Sequence, residues 1–261
     1  MNTQAEVPPV SLFNKAGRAR LLLVCEHASN YIPARFENLQ LVDGALQSHI
    51  AMDIGAFDLA CAVSRVLDAP LLSTTVSRLV YDCNRHFGAV GAIPEKSELF
   101  EVPGNRNLSI DEVKQRYDQY YLPFESAISD RLAEFTEPPL LVTIHTFTPV
   151  YLGETRDVDI GIISDRDKRL GDQMVLLAAD QATLSVIANQ PYGPEDGVTH
   201  TLGLHGDKNG LLNAMIEVKN DLLGSVESCR QMTQILATLI SSSAAHFGYE
   251  IPLRSDHAKS A

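Results

Sequence analysis

Short runs of consecutive apolar residues alternate along this chain with longer segments in which apolar residues recur at helical spacing. The apolar runs, typical of strands buried on both faces, lie at 21–25, 70–74, 140–144, 158–164, 184–189 and 213–218. The helical segments lie at 49–67, from 109 to about 135, from 168 to about 180 and from 225 to about 246. The second segment opens with a capping box, Ser109-Ile110-Asp111-Glu112. This alternation predicts an α/β fold, a three-layer sandwich with a mostly parallel or mixed central sheet and helices on both faces.

The chain shows no internal division. No repeat, composition shift or linker rich in Gly, Ser or Pro interrupts its 261 residues. We therefore expect a single domain over residues 1–261, with flexible tails at 1–15 and 254–261.

Composition and charge narrow the class of partner. The formal net charge is -12 and the acidic residues are scattered, which argues against a nucleic-acid binder with clustered Lys and Arg. No segment approaches the roughly 18 apolar residues of a membrane span, and the first 20 residues show no secretory signal. The four cysteines include no C-x-x-C pair and are expected to be free buried thiols. These features predict a cytoplasmic protein without a nucleic-acid or membrane partner, and they leave a homo-oligomer open.

Ionisable side chains stand where several apolar runs end. Glu26 and His27 follow the first run, His145 follows the third, Glu217 lies in the last, and the stretch SRLVYDCNR ends in Asp82, Asn84 and Arg85. Burying an ionisable group costs free energy unless it is paired or bound. In open α/β sheets, ligands bind at the carboxyl ends of the strands. These positions are therefore candidates for a functional site.

Two histidines from separate strand ends, with a carboxylate or carboxamide, are typical of a catalytic zinc site. Such a site needs a further carboxylate to move protons, and Glu217 is the candidate. The alternative for Glu217 is an ion pair with Lys219 or Arg230.

Three further histidines have structural explanations. His49 and Asp53 lie four residues apart on one face of the first predicted helix, so a local hydrogen bond accounts for them. His200 and His205 lie in a Gly-rich loop, where one of them facing the site is an open alternative.

Five segments in sequence order resemble the N-formylglutamate amidohydrolase family: VCEHASNYIP, HIAMDIGA, SRLVYDCNR, IHTFTP and MIEVKNDL. They extend from about residue 20 to 223. The resemblance implies a fold like that of the zinc-dependent exopeptidases, carboxypeptidases and aspartoacylases. It also implies a zinc-dependent hydrolase of N-acyl amino acids.

The resemblance assigns roles to particular residues. His27 and His145 match the family's histidine ligands, the Asn84-Arg85 pair matches its carboxylate-binding pair, and Glu217 matches its general base. The related His-x-x-Glu motif reads His27-Ala28-Ser29-Asn30 here, so Asn30 stands where Glu is expected. Either Glu26 or Asn30 is then expected to complete the metal site, with Glu26 slightly favoured.

The leading hypothesis is a metal-dependent amidohydrolase that removes a formyl or other small acyl group from an acidic amino acid such as N-formyl-L-glutamate. His205 would help to stabilise the oxyanion, and Arg78 or Lys219 would bind a second substrate carboxylate. One alternative is a hydrolase of another N-acyl amino acid or small peptide. Another is a non-catalytic relative that binds an acidic metabolite.

Overall fold

Seven strands form the central sheet of the computed structural model, which describes residues 7–179 and 184–254. In chain order the strands are β1 (Val10–Phe13), β2 (Leu21–Cys25), β3 (Leu71–Thr74), β4 (Lys96–Ser97), β5 (Phe100–Glu101), β6 (Leu140–Phe147), β7 (Val150–Tyr151), β8 (Glu154–Thr155), β9 (Ile160–Ile163), β10 (Val186–Ala188) and β11 (Asn213–Lys219). The sheet order is β1-β3-β2-β6-β11-β9-β10, and β4–β5 and β7–β8 form separate hairpins. β3, β2, β6 and β11 are parallel, whereas β1 and β9 are antiparallel to their neighbours β3 and β11. The sheet is therefore mixed, with a parallel centre.

Helices cover both faces of this sheet. They are α1 (Ala56–Leu67), α2 (Ile110–Arg116), α3 (Leu122–Ala133), α4 (Arg169–Ala178) and α5 (Val226–His246). Leu21, Leu23 and Cys25 of β2 pack in one core cluster with α1, α4 and α5, whereas Leu22 and Val24 pack against α3. Successive side chains of a strand point to opposite faces, so a wholly apolar strand must be covered twice. The predicted α/β class and three-layer arrangement are confirmed.

Two predicted helices differ from the structure in extent. The capping box at Ser109 is present, and the helical path from Ile110 to Ala133 contains a π-helical turn at Tyr117–Tyr121. The helix predicted from His49 instead begins at Ala56. Gly55 has φ of 82°, in the left-handed region, and residues before it cannot continue the helix.

Two other expectations meet a different local structure. Residues 77–85 form turns rather than the end of a β-type run. Within the expected tail at 1–15, Val10–Phe13 forms the edge strand β1, paired with β3. Residues 1–6, 180–183 and 255–261 lie outside the described residues. Among the helices of the described ranges, none combines the length and apolar character needed to cross a membrane.

The parallel centre of the sheet brings the predicted site residues to one edge. β2 ends at Cys25, one residue beyond its last pair with β6, Val24 with Thr143, and the next residue, Glu26, lies 3.0 Å from His145 (Oε2 to Nε2). On β11, Glu217 pairs with His145. Because β6 and β11 run on to Phe147 and Lys219, His145 and Glu217 lie inside strands near their carboxyl ends, not after them.

Candidate active site

Three buried side chains at this edge bring possible metal ligands together. The Nδ1 atoms of His27 and His145 lie 3.2 and 2.8 Å from Oδ2 of Asp53. Of the residues in the described ranges, these three form a group in which one ligand atom from each lies within 4.8 Å of the others. Two imidazoles and one carboxylate, with a coordination position left for water or substrate, are a donor set that suits a catalytic divalent ion. The chemistry of this group therefore fits a metal site.

Two further carboxylates contact the Nε2 atoms of the two imidazoles, the ring nitrogens that do not face Asp53. Asp82 Oδ1 lies 2.8 Å from His27 Nε2, and Glu26 Oε2 lies 3.0 Å from His145 Nε2. A carboxylate on one ring nitrogen keeps the proton there and leaves the other nitrogen to ligate. Both Nδ1 atoms are therefore oriented toward Asp53.

Protonation in this group follows from its charges. Burial alone would raise the pKa of Asp53, but His27 and His145 hold that pKa far below its usual value. Burial alone would lower the pKa of His145, but Glu26 and Asp53 raise it well above its usual value. The metal-free group is thus held together by imidazolium–carboxylate pairs, and ligation of an ion requires the loss of protons from it.

Arg78, which was predicted to bind substrate, is engaged within this group. Its Nη1 atom lies 3.3 Å from Asp53 Oδ1 and its Nη2 atom lies 2.9 Å from Asp82 Oδ2. Both terminal nitrogens therefore donate to carboxylates of the protein. Arg78 offsets the negative charge of the two aspartates and fixes their orientation, and its role in binding substrate stays a prediction.

Asn30 and Glu26, the two candidates for completing the metal site, both lie outside the donor group. The Asn30 amide donates to the backbone oxygen of Leu46 at 2.8 Å. Glu26 is 1% exposed and lies behind His145 rather than beside its Nδ1 atom. Asp53 supplies the third donor instead.

Glu217 reaches the same region from β11, directly across from His145. Its side chain is buried, and Oε2 has no hydrogen-bond partner in the described part of the chain. Burial raises the pKa of Glu217 to about 7. The alternative partners are engaged elsewhere, because Lys219 binds Asp159 at 2.6 Å and Arg230 pairs within its own helix. A buried carboxyl group that titrates near neutrality is suited to accept and release a proton.

The two residues of the predicted Asn84-Arg85 pair make different contacts. Asn84 Oδ1 accepts from the Thr201 backbone N–H at 3.0 Å, and its Nδ2 donates to the backbone oxygen of Val198. Asn84 thus holds the loop that forms one wall of the site. Arg85 donates from Nη1 to the Asp196 backbone oxygen at 3.0 Å, and it forms no ion pair with any described residue. The predicted alternative, a salt bridge from Arg85 to Asp82, is not formed.

His205 makes no hydrogen bond to the donor group or to Glu217 within the described ranges. It is buried in the turn Leu202–Gly206, with Nδ1 3.5 Å from Ser129 Oγ of α3. Burial lowers the pKa of His205 to about 4. Its neighbour His200 bonds the Tyr121 hydroxyl at 2.6 Å. Neither His200 nor His205 lines the cavity that contains the donor group, so the predicted oxyanion role of His205 has no geometric support.

A cavity of about 530 Å³ connects these groups. Its lining includes His27, Asp53, His145 and Glu217, together with three arginines (Arg78, Arg85 and Arg156) and three aromatic residues (Phe147, Tyr151 and Tyr192). His49 also lines it and contacts Glu98 at 3.2 Å, not Asp53 as predicted.

Sequence reasoning missed Asp53 as a donor, Asp82 as a partner of His27, and Arg156. The i, i+4 spacing of His49 and Asp53 is what a helix face would show, and it concealed a loop. The available signal for Asp53 was Gly55, a residue that often ends or precedes a helix. For Arg156 no pattern pointed to the site.

Comparison with known proteins identifies the family of this chain. The family model for N-formylglutamate amidohydrolase matches residues 19–223, which confirms the resemblance drawn from the five motifs. No curated protein matches the chain significantly.

Two solved structures share the fold. Gene product Atu2144 from Agrobacterium tumefaciens is 44% identical, with a TM-score of 0.91 and coverage of 94% of this chain and 98% of that one. An N-formylglutamate amidohydrolase from Ralstonia eutropha JMP134 is 18% identical, with a TM-score of 0.67 and coverage of 92% of this chain and 98% of that one. At that identity the second likeness shows the fold alone.

Proposed function

We propose a specific reaction for this chain, which belongs to the N-formylglutamate amidohydrolase family and is a hydrolase acting on an amide bond. The reaction is removal of the formyl group from an N-formyl acidic amino acid, with N-formyl-L-glutamate as the first candidate substrate. One observation carries the proposal. The buried carboxyl group of Glu217, whose Oε2 has no hydrogen-bond partner among the described residues, lines one cavity with the His27–Asp53–His145 donor group and the guanidinium of Arg85.

The donor group would hold a divalent ion, and zinc is the ion proposed. When bound, such an ion acts as a Lewis acid toward the amide carbonyl and the attacking water. His27, Asp53 and His145 would be its ligands, with Asp82 and Glu26 fixing the two imidazoles. This proposal replaces Glu26 and Asn30 as ligands.

Glu217 is the proposed general base and acid. Its carboxylate takes a proton from water as the water oxygen attacks the formyl carbon. It then gives that proton to the amide nitrogen as the C–N bond breaks, releasing formate and the free amino acid. A group with a pKa near 7 can perform both transfers at neutral pH.

Arg85 is the proposed anchor for the α-carboxylate. It lines the cavity, and its Nε and Nη2 atoms have no acceptor in residues 7–179 and 184–254. A guanidinium edge binds a carboxylate through two parallel hydrogen bonds, which orients the substrate as well as holding it. Asn84 supports this anchor by holding the loop wall.

The proposed compartment is the cytoplasm. Cys25, Cys61, Cys83 and Cys229 are free thiols, the usual state in a reducing environment.

The test is turnover of N-formyl-L-glutamate by purified protein before chelation, after chelation and after reloading with zinc, with released formate as the readout. N-acetyl and N-succinyl glutamate complete the panel and decide the acyl group. We expect chelation to abolish deformylation and zinc to restore it. A protein that binds no zinc or cobalt and never releases formate would overturn the proposal, and preferential turnover of another acyl group would redirect it to that substrate.

A further inference from the structure

The three guanidinium groups that line the catalytic cavity differ in their partners. Arg78 is neutralised by Asp53 and Asp82. Arg85 and Arg156 have no carboxylate partner among the residues that the structure describes. A cavity with two guanidinium groups that lack a carboxylate partner can bind two anionic groups of one ligand. Arg85 is assigned to the α-carboxylate, and Arg156 has no assigned role.

The hydrogen bonds of Arg156 leave one edge of its guanidinium group open. Nη1 donates to the Thr148 backbone oxygen at 3.4 Å and to the Tyr192 hydroxyl at 2.9 Å. These two acceptors use both protons of Nη1. Nε and Nη2 have no acceptor within the described ranges, and together they form one of the edges with which arginine binds a carboxylate bidentately.

Aromatic rings hold this group in place. The Arg156 guanidinium carbon lies 5.6, 4.6 and 4.8 Å from the ring centroids of Phe147, Tyr151 and Tyr192. Arginine stacks on aromatic faces through cation–π attraction, so the side chain loses little further freedom on binding a ligand. The rings also exclude water from one side of the group, which strengthens its interaction with an anion.

The backbone that carries Arg156 is also tied to the site. Its N–H donates to the Pro149 oxygen at 2.9 Å, which closes the β7–β8 hairpin. That hairpin follows β6, the strand that supplies His145. The position of the arginine relative to the donor group is therefore set by the sheet.

We propose that Arg156 is the specificity-determining residue that binds the side-chain carboxylate of the substrate, through its Nε–Nη2 edge. The inference rests on the proposed function, since it takes Arg85 as the anchor for the α-carboxylate. It assigns a residue to the second carboxylate of the acidic amino acid proposed as substrate. It also moves the second-carboxylate role from Arg78 and Lys219, which are paired with aspartates, to Arg156.

The test compares N-formyl-L-glutamate with N-formyl-L-glutamine, which has the same shape without the second charge. Arg156→Gln is expected to lower kcat/KM for the glutamate substrate about 100-fold and to leave the glutamine substrate within about threefold. Arg156→Lys keeps the charge but not the planar fork, and about a tenfold loss is expected. Arg166→Gln, a change of an exposed arginine outside the cavity, is the matched control and should behave as wild type.

The discrimination between the two substrates is the deciding quantity, because a merely structural role would lower both activities together. Equal losses for both substrates in the Arg156 variants, or no loss for the glutamate substrate, would overturn the inference. If wild type turns over neither substrate, the proposed function fails on its own. Calorimetry of N-formyl-L-glutamate with zinc-loaded Glu217→Gln protein then tests Arg156 separately. If the protein that carries both Glu217→Gln and Arg156→Gln binds about 100-fold more weakly than the Glu217→Gln protein, the role of Arg156 is supported. Unchanged binding overturns it.

Discussion

Glu217 and His145 occupy paired positions on the adjacent parallel strands β11 and β6. Paired residues of parallel strands project to the same face of a sheet. The proposed base and one of the proposed ligands are therefore fixed relative to each other by backbone hydrogen bonds in the centre of the sheet. A site built on strands holds its geometry more closely than one built on loops.

The first prediction concerns catalysis by Glu217. Glu217→Gln keeps the size of the side chain but cannot accept a proton from water, so we expect kcat to fall about 1000-fold. Zinc content, from elemental analysis, should equal that of wild type, because the residue is not in the donor group. Glu250→Gln, a change of an exposed residue, serves as the control. A Glu217→Gln enzyme that keeps a tenth of wild-type turnover would contradict the assignment.

The second prediction is a change of stability with pH caused by the same residue. In the folded, metal-free protein the pKa of Glu217 is raised from 4.5 to about 7 by burial. Between these values the unfolded chain has lost the proton while the folded chain retains it, so the free energy of unfolding falls as pH rises. The contribution of Glu217 ionisation to the free energy of unfolding is constant below pH 4.5 and again above about pH 7.

Glu217→Gln removes this cost, because glutamine does not titrate. We expect the difference in free energy of unfolding, variant minus wild type, to be larger at pH 8 than at pH 4, by up to about 3 kcal/mol. Denaturant unfolding of chelator-treated protein at several pH values measures it, with Glu250→Gln again as the control. A difference between variant and wild type that does not change with pH would show that Glu217 ionises normally in the folded protein.

The fold and the strand-borne part of the site could be predicted because both depend on local patterns. Apolar runs gave the strands, and ionisable residues at their ends gave His27, His145 and Glu217. Parallel strands bring their carboxyl ends to one edge whatever their distance in sequence. The histidines could thus be placed together without knowing the loops.

The loop-borne part could not be predicted, because it depends on contacts between distant segments. The spacing of Asp53 from His49 predicts a helical residue, although the helix starts only after Gly55. Asn84 and Arg85 are adjacent in sequence, yet the Asn84 amide binds the loop at Val198 whereas the Arg85 guanidinium lines the cavity. Arg156 lies after a hairpin of two-residue strands, which has too few residues to show any period.

The third prediction tests Asp53 as a ligand against Asn30, the amide that the sequence left open as an alternative to Glu26. Asp53→Asn removes the charge of the third donor, and we expect zinc affinity to fall by at least about 100-fold. Asn30→Ala should leave zinc affinity unchanged and lower stability by about 1 kcal/mol through loss of the bond to Leu46. Calorimetric zinc titration and thermal unfolding separate the two effects. The reverse pattern, with zinc lost in Asn30→Ala and kept in Asp53→Asn, would restore Asn30 as the ligand.

The last prediction concerns Glu26, which lies behind His145 at 3.0 Å from Nε2. A carboxylate in this position keeps the imidazole proton on Nε2 and so makes Nδ1 the ligating atom. Glu26→Gln still offers an acceptor but no charge, and zinc affinity should fall about 10-fold to 100-fold, less than in Asp53→Asn. Glu98→Gln is the matched control, because Glu98 makes a similar contact with His49, outside the donor group. It should bind zinc within about threefold of wild type. A loss in Glu26→Gln as large as that in Asp53→Asn would make Glu26 a ligand, the alternative favoured by the sequence, whereas no loss would leave His145 oriented by Asp53 alone.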